Sequence, residues 1–212
     1  MAKKPIVEAV TITAPNFKYI KLRLVGTAPY MQARFAAKAM QAMKSKMEAG
    51  PTAKKGVKRE ARDFDDDFEQ AQHCSSDGWN GIPASAIRNA CIDVCRMVGF
   101  KMTHAKMSIF VEAAGLDKVD GTPLIKLDAN PPERVDMATR NATGVADIRV
   151  RPMWREWAAD ILIRFDADQF TFTDIVNLLS RAGEQVGIGE GRPFSKSSNG
   201  LGFGTFRVET TD

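Results

Sequence analysis

Apolar and polar positions alternate most cleanly in "FKYIKLRLVG" (17–26), where Ile20, Leu22 and Leu24 oppose Tyr19, Lys21 and Arg23. A period of two with β-branched and aromatic residues predicts a strand with one buried face and one solvated face. Helical spacing follows in "ARFAAKAMQAMKSKMEAG" (33–50), which stops at Gly50-Pro51. Its Met40, Met43 and Met47 lie three and four apart and predict a packing stripe. Residues 51–80 have few apolar positions and are expected to form an exposed insertion. "GIPASAIRNACIDVCRMVG" (81–99) is the clearest helix, with Pro83 in its first turn and Gly99 past its end. Its apolar stripe is Ile87, Cys91, Val94, Cys95 and Val98.

In the second half, "MSIFVEA" (107–113) predicts a strand, and "LDKVDGTPLIKL" a hairpin or two short strands around Asp120-Gly121. Residues 128–143 read as a connection carrying Arg134 and Arg140. "VADIRVRPMW" and "AADILIRFD" are two further strands. "TFTDIVNLLSRAGEQVG" (171–187) predicts a helix opened by Thr171 and Asp174, lined by Ile175, Leu178, Leu179 and Ala182, and stopped at Gly183. "GFGTFRVET" predicts a last strand in which Phe203, Thr205 and Arg207 face away from Phe206 and Val208. With insertions set aside, the order is strand, helix, strand, strand, helix, strand. That predicts an α+β fold of the ferredoxin-like or RRM-like plan, an antiparallel sheet with two helices on one face. The chain, 1–212, is expected to be one such domain, with a helical and then basic and acidic insertion at 28–80 and a second insertion at 114–145.

Composition narrows the class. Hydrophobic residues make up 44% and charged residues 26%, a soluble mixture, and no apolar run nears the ~20 residues of a membrane span. The N-terminus has no apolar signal core, so a cytoplasmic location, that of a bacterial host, is expected. Three cysteines make no disulfide framework. Cys91 and Cys95 share a helix face and, with His73 and Cys74, would make a four-ligand set. They lie on the Ile87–Val94 stripe and lack the short-spaced pairs of structural zinc sites, so they read as small hydrophobes and no metal is expected. The net charge of +4 is distributed unevenly. "KSKMEAGPTAKKGVKREAR" (44–62) is strongly basic and "DFDDDFE" (63–69) follows at once. Adjacent patches of opposite sign suit a heterologous, repeating self-contact, and suit a charge-balanced solvated loop as well.

Two segments carry candidate chemistry. "GIPASAIRNAC" leads into a helix, whose free N–H groups near Ser85, with Arg88 one turn on, favour an anion. "VGIGEGRPFSKSSNGLGFGTFRV" (186–208) spreads Gly187, Gly189, Gly191, Gly200, Gly202 and Gly204 among Arg192, Lys196 and Arg207. Such glycines allow a backbone to approach phosphate, and they also suit a plain turn before a strand. Tyr19, Trp79, Phe194 and Phe203 offer rings on which bases stack at ~1–3 kcal/mol each. Lys21, Arg23, Arg149 and Arg151 alternate on strand faces. Lys54, Lys55, Lys58 and Arg59 offer a basic track that would make binding salt-dependent.

Together the two segments resemble the RAMP superfamily and, within it, the Cas7-like backbone proteins of CRISPR effector complexes. Those have an "IPGSSLKGALR"-type helix entry and a glycine-rich loop before the last strand. Ala84 stands where that group tends to have Gly, and the glycine loop here is longer and more charged. The chain is also similar to bacteriophage proteins of about this length that end in "GIGEWRP…G.FG.F", and a stand-alone relative of that kind is the better match. The resemblance covers about residues 80–208 and the first strand. It implies an RRM-like core that binds single-stranded nucleic acid, RNA or DNA, along its backbone and stacks head to tail into a filament or other homo-oligomer. It also implies that the 44–62 stretch acts as a thumb- or finger-like insertion.

The sequence leaves an endoribonuclease open. His104 among cations is the better general acid–base candidate, and Asp65 and Asp66 occupy the insertion where some relatives place a catalytic Asp. A virion or filament protein that binds no nucleic acid is a third class. Walker A, metalloprotease-helix and nucleophile-elbow patterns are absent, so no cofactor is expected.

Overall fold

A computed structural model describes residues 13–35, 37–48, 62–140, 144–195 and 198–210. The chain is a mixed α+β protein built from antiparallel sheets and a few helices. The main sheet has four strands, β1 (Phe17–Gly26), β4 (Ile109–Glu112), β9 (Ala158–Asp166) and β10 (Phe206–Thr210). Their spatial order is β10-β1-β9-β4, and every neighbouring pair is antiparallel. The register Leu22↔Ile161 and Leu24↔Ala159, with Leu24↔Val208 on the other side, brings the apolar alternates onto one face. Leu22, Leu24, Ile109, Ile161, Ile163, Phe165 and Phe206 are each almost fully buried there. At ~1.5–3 kcal/mol per buried large side chain, this layer is the main source of stability.

Two helices cover that face. α3 (Ala84–Met97) contributes Ile87, Cys91, Val94 and Cys95, and α5 (Phe172–Arg181) contributes Ile175, Leu178 and Leu179. α5 starts in a capping box: the Thr171 hydroxyl accepts from the Asp174 N–H, and the Asp174 carboxylate accepts from the Thr171 N–H. Val98, expected on the α3 stripe, is 54% exposed because α3 ends at Met97 and the chain turns at Gly99. α5 does not stop at Gly183. It runs into a π-helical turn, Ala182–Val186, and Gly187 at φ 69° ends it. Gly183 is instead needed for contact, since a Cβ there would overlap the Phe206 carbonyl oxygen on β10.

Two three-stranded sheets flank the main one. In the first, β2 (Tyr30–Met31), β8 (Ala146–Trp154) and β7 (Glu133–Arg140) lie in the order β2-β8-β7. β7 corrects the expectation of a mere connection over 128–143: Glu133 to Arg140 pair residue by residue with β8, from Glu133↔Met153 to Arg140↔Ala146. Trp154 and Trp157 pack in the core around Tyr30, at ring distances of 5.7 and 5.4 Å. In the second flanking sheet, β3 (Gly81–Pro83) and β5 (Gly115–Leu116) pair with β6 (Pro123–Lys126). Pro83 is therefore the last strand residue and the cap position of α3, not part of its first turn.

The expected exposed insertion is largely structured where it is described. α2 (Phe64–Gln70) is capped by the Asp63 carboxylate, so the acidic block is the first turn of a helix, where carboxylates meet the positive end of the dipole. Ala71, Gln72 and Ser75 beyond it are buried. α1 (Ala37–Glu48) forms as expected, but Met40, Met43 and Met47 are 42%, 50% and 81% exposed. Among the described residues nothing buries their stripe. A further helix, α4 (Met102–Ser108), precedes β4. Among the described residues no helix is long and apolar enough to cross a membrane.

Candidate nucleic-acid interface

The glycine-rich segment is a fastened loop. The Ile188 N–H donates to the Gly204 carbonyl at 3.0 Å, Gly204 N–H to the Pro29 carbonyl at 2.7 Å, and Glu190 N–H to the Met31 carbonyl at 2.9 Å. The Phe203 N–H reaches the Gly191 carbonyl at 3.1 Å. The loop is thus stitched to the β2 region and to itself. Several of its glycines are explained by these close approaches alone. At Gly189, a Cβ would overlap the Met31 carbonyl oxygen and meet the Tyr30 ring.

Fastening the loop there opens a cleft of about 610 Å³ on its outer side. One wall is Gly189 to Arg192 with Ser195, Ser198 and Asn199. Gln32, His73, Arg149 of β8 and the α3 entry at Pro83 and Ala86 line the same cleft. The two segments that carry the chemistry in the sequence therefore meet at one cavity. The charged lining side chains are Arg149, Arg192 and Glu190, a small positive excess. Glu190 is ion-paired with Arg151 and lies 3.7 Å from Arg149. The Arg192 guanidinium donates to the carbonyls of Gly189 (3.0 Å) and Phe194 (3.2 Å) and so bends along the loop.

The other expected binding residues lie elsewhere. Tyr19, Lys21, Arg23 and Arg207 are on the uncovered face of the main sheet. Tyr19 is 56% exposed, but the cations around it are compensated. Arg23 pairs with Asp128 and Asp160, Arg207 with Glu209, and Arg164 with Glu112. Arg164 also stacks over Phe17 and Phe110, at 4.7 and 4.3 Å from the ring centroids, so this aromatic surface is already occupied. Arg88 does not reach an anion seat, since its guanidinium donates to the carbonyls of Ile109 and Lys106. Ser85 is exposed in the first turn of α3, between the cleft residues Pro83 and Ala86. Gly202 has no atom within 4 Å of a built Cβ, whereas Phe203 is half-buried against Gly191. Phe194 is 53% exposed on the loop, and Trp79 packs between Gly81 and Gly115. Lys54, Lys55, Lys58, Arg59 and Lys196 lie outside the described residues.

The candidate nuclease residues stand on separate elements. His104 is exposed on α4, edge-on to Phe100 at 6.3 Å. On α2, Asp65 pairs with Arg134, and Asp66 accepts from Gln70 at 3.5 Å.

A polar cluster that the sequence did not signal closes the back of the cleft. The buried Asp117 carboxylate accepts from His73 Nδ1 at 2.9 Å and from the Val119 N–H at 2.8 Å. The guanidinium of Arg34 lies 3.9 Å from it, and both side chains are within 4% of full burial. Gln32, 2% exposed, ties the cluster to the core: its amide donates to the Gly81 carbonyl at 2.6 Å and its oxygen accepts from the His73 N–H at 2.9 Å. His73 and Asp117 are 44 residues apart, and Asp117 sits in an ordinary turn sequence, so no local pattern marks them. His73, Asp117 and Asp120 each offer a ligand atom within 4.8 Å of the others. A cation there would compete with Arg34 and with the N–H donors that hold Asp117, so the set fits a hydrogen-bonded network better than a metal centre. The helix cysteines are sealed in the core, where burial pushes the Cys91 thiol up to about 12 and the Cys95 thiol to about 11. At such values they pack as neutral thiols.

No family model matches the sequence, and no curated protein matches it either.

Proposed function

We propose that this chain binds the sugar–phosphate backbone of single-stranded nucleic acid in the glycine-loop cleft, without regard to base sequence, and associates head to tail with further copies. One observation carries this. Two segments about a hundred residues apart in the chain, each suited to phosphate by its own chemistry, line one open, positively biased cleft. Backbone N–H groups of the loop, the Ser195 hydroxyl and the two lining arginines supply donors, whereas the Ser198 hydroxyl already donates to the Arg192 carbonyl. No exposed aromatic ring lines the cavity, since Tyr30 is 1% exposed. The bases would then point outward and remain unread.

The strand order supports the finer reading of the fold. β1, α3, β4, β9, α5 and β10, with the sheet in the order β10-β1-β9-β4, follow the ferredoxin-like or RRM-like plan. Together with the two motifs, this is the ground for reading the chain as a RAMP-like protein of the stand-alone, phage-borne kind. Self-association is supported by the exposed methionines of α1, an apolar stripe left uncovered within one copy. The test is a mobility and sedimentation assay of nuclease-treated protein with labelled RNA and DNA strands at low salt. Binding of intact strands, lost in an Arg149→Ala/Arg192→Ala variant, is expected. Absence of binding to either polymer overturns the proposal and leaves a filament protein without nucleic acid. Shortening of the strands by pure protein shows a nuclease.

A further inference from the structure

The cleft holds a histidine whose ring is oriented by a buried carboxylate, and it bears on which polymer the site takes. A carboxylate only accepts, so at the His73–Asp117 contact of 2.9 Å the proton sits on Nδ1. In the neutral ring that leaves Nε2 as a lone-pair acceptor. Asp117 is itself fixed by the Val119 N–H and by Arg34, and Gln32 holds the His73 backbone N–H, so turning the ring over would break the buried Nδ1–Asp117 bond. His73 lines the cleft, its side chain is 13% exposed, and among the described residues nothing bonds to its Nε2.

The other polar groups in the cleft are donors, or hydroxyls and amides that serve either way. The one carboxylate there, Glu190, is already bound by Arg151. A ligand that satisfies Nε2 must therefore bring a donor. A phosphodiester oxygen accepts only, and a deoxyribose carries no donor within a strand. On a sugar–phosphate backbone the ribose 2′-hydroxyl is the group that donates.

We infer that His73, held by Asp117, reads the ribose 2′-hydroxyl, so that the cleft prefers RNA to single-stranded DNA. This rests on the proposed function of the cleft and names its polymer. His73 acts here as a specificity residue that contacts the sugar, with Asp117 as its positioning residue.

The test is fluorescence anisotropy of the full chain with three strands of the same base sequence: ribo-, deoxyribo- and 2′-fluoro-uridine. The 2′-fluoro strand keeps an RNA-like sugar pucker but has no donor, so it separates a hydrogen bond from backbone shape. One neutral hydrogen bond is worth about a two- to tenfold change in affinity. The ribo strand is expected to bind tighter by that factor, with the 2′-fluoro strand matching the deoxyribo strand. His73→Phe is expected to abolish the preference of the ribo strand over the deoxyribo strand, and a preference that survives in this variant overturns the inference. Equal affinities for all three strands in the native protein overturn the inference, as does a 2′-fluoro strand that binds like RNA. Both results leave the cleft's backbone binding intact. Failure of all three to bind overturns the cleft proposal itself, and this inference with it.

Discussion

Gly204 is the position where the fastened-loop account is most exposed to test. Its φ is 67°, and a Cβ there would overlap the backbone carbonyl of Ile188. Its N–H donates to the Pro29 carbonyl and its own carbonyl accepts from Ile188, at 2.7 and 3.0 Å. Gly202, two residues earlier, has a similar φ of 79° but open space around a built Cβ. Gly202→Ala should therefore cost only the left-handed backbone term, ~1–2 kcal/mol, less ~0.4–1 kcal/mol from a stiffer unfolded chain. Gly204→Ala carries the same term and must also displace the loop, loosening two buried hydrogen bonds at ~1 kcal/mol each. The expected gap between the variants is about 2–3 kcal/mol, which urea unfolding resolves as separate midpoints at a common slope. Equal midpoints would refute the fastened loop and return the segment to a mobile turn. A two- to threefold larger gap would mean that the β2 region moves with it.

Five further outcomes follow from individual contacts. Thr171→Ala removes one arm of the α5 capping box and should cost ~1 kcal/mol in thermal or urea unfolding. Burial raises the folded pKa of Cys91 to about 12, chiefly by desolvation. Its contribution is complete below the ordinary thiol range and is lost as pH climbs from about 9 toward 12. Stability should decline there by up to ~1.4 kcal/mol per pH unit, a slope that Cys91→Ala reduces. In the folded protein a thiol reagent should modify half-exposed Cys74 well before Cys91 or Cys95. Glu190→Gln frees Arg149 and Arg151 and should raise affinity for either polymer, steepening the salt dependence by roughly 0.7 per phosphate gained. Met43→Glu with Met47→Glu should shift sedimentation toward single copies without changing the unfolding midpoint.

What the residue pattern reveals depends on how sharply burial alternates. β1, β9 and α5 were legible because Leu22 and Leu24, Ile161 and Ile163, and Ile175, Leu178 and Leu179 are all buried by one continuous core. β7 escaped because it lies away from that core. Val135, Met137 and Thr139 are only half-buried, and the charged Glu133, Arg134 and Asp136 beside them read as a loop. The methionines of α1 have helical spacing, but the periodicity cannot say that this chain leaves them uncovered. The glycine loop and the α3 entry were both visible, and their meeting at one cleft was not, since it depends on the Glu190–Met31 and Gly204–Pro29 bonds. The glycines themselves pointed to phosphate, yet Gly189 and Gly204 are required first by the protein's own backbone. Arg23, Arg88 and Arg207 looked free and are each held by internal acceptors. His73 and Asp117 had no local signal, because their pairing is made by the fold alone.

Photo-crosslinking of a bound single strand, followed by mass-spectrometric mapping, tests the central claim most directly. Crosslinks are predicted on the loop from Gly189 to Asn199, on His73 and at the Pro83–Ala86 helix entry. Crosslinks concentrated on Tyr19 and Lys21 would instead put the strand on the uncovered face of the main sheet and contradict the account, as would no crosslink at all.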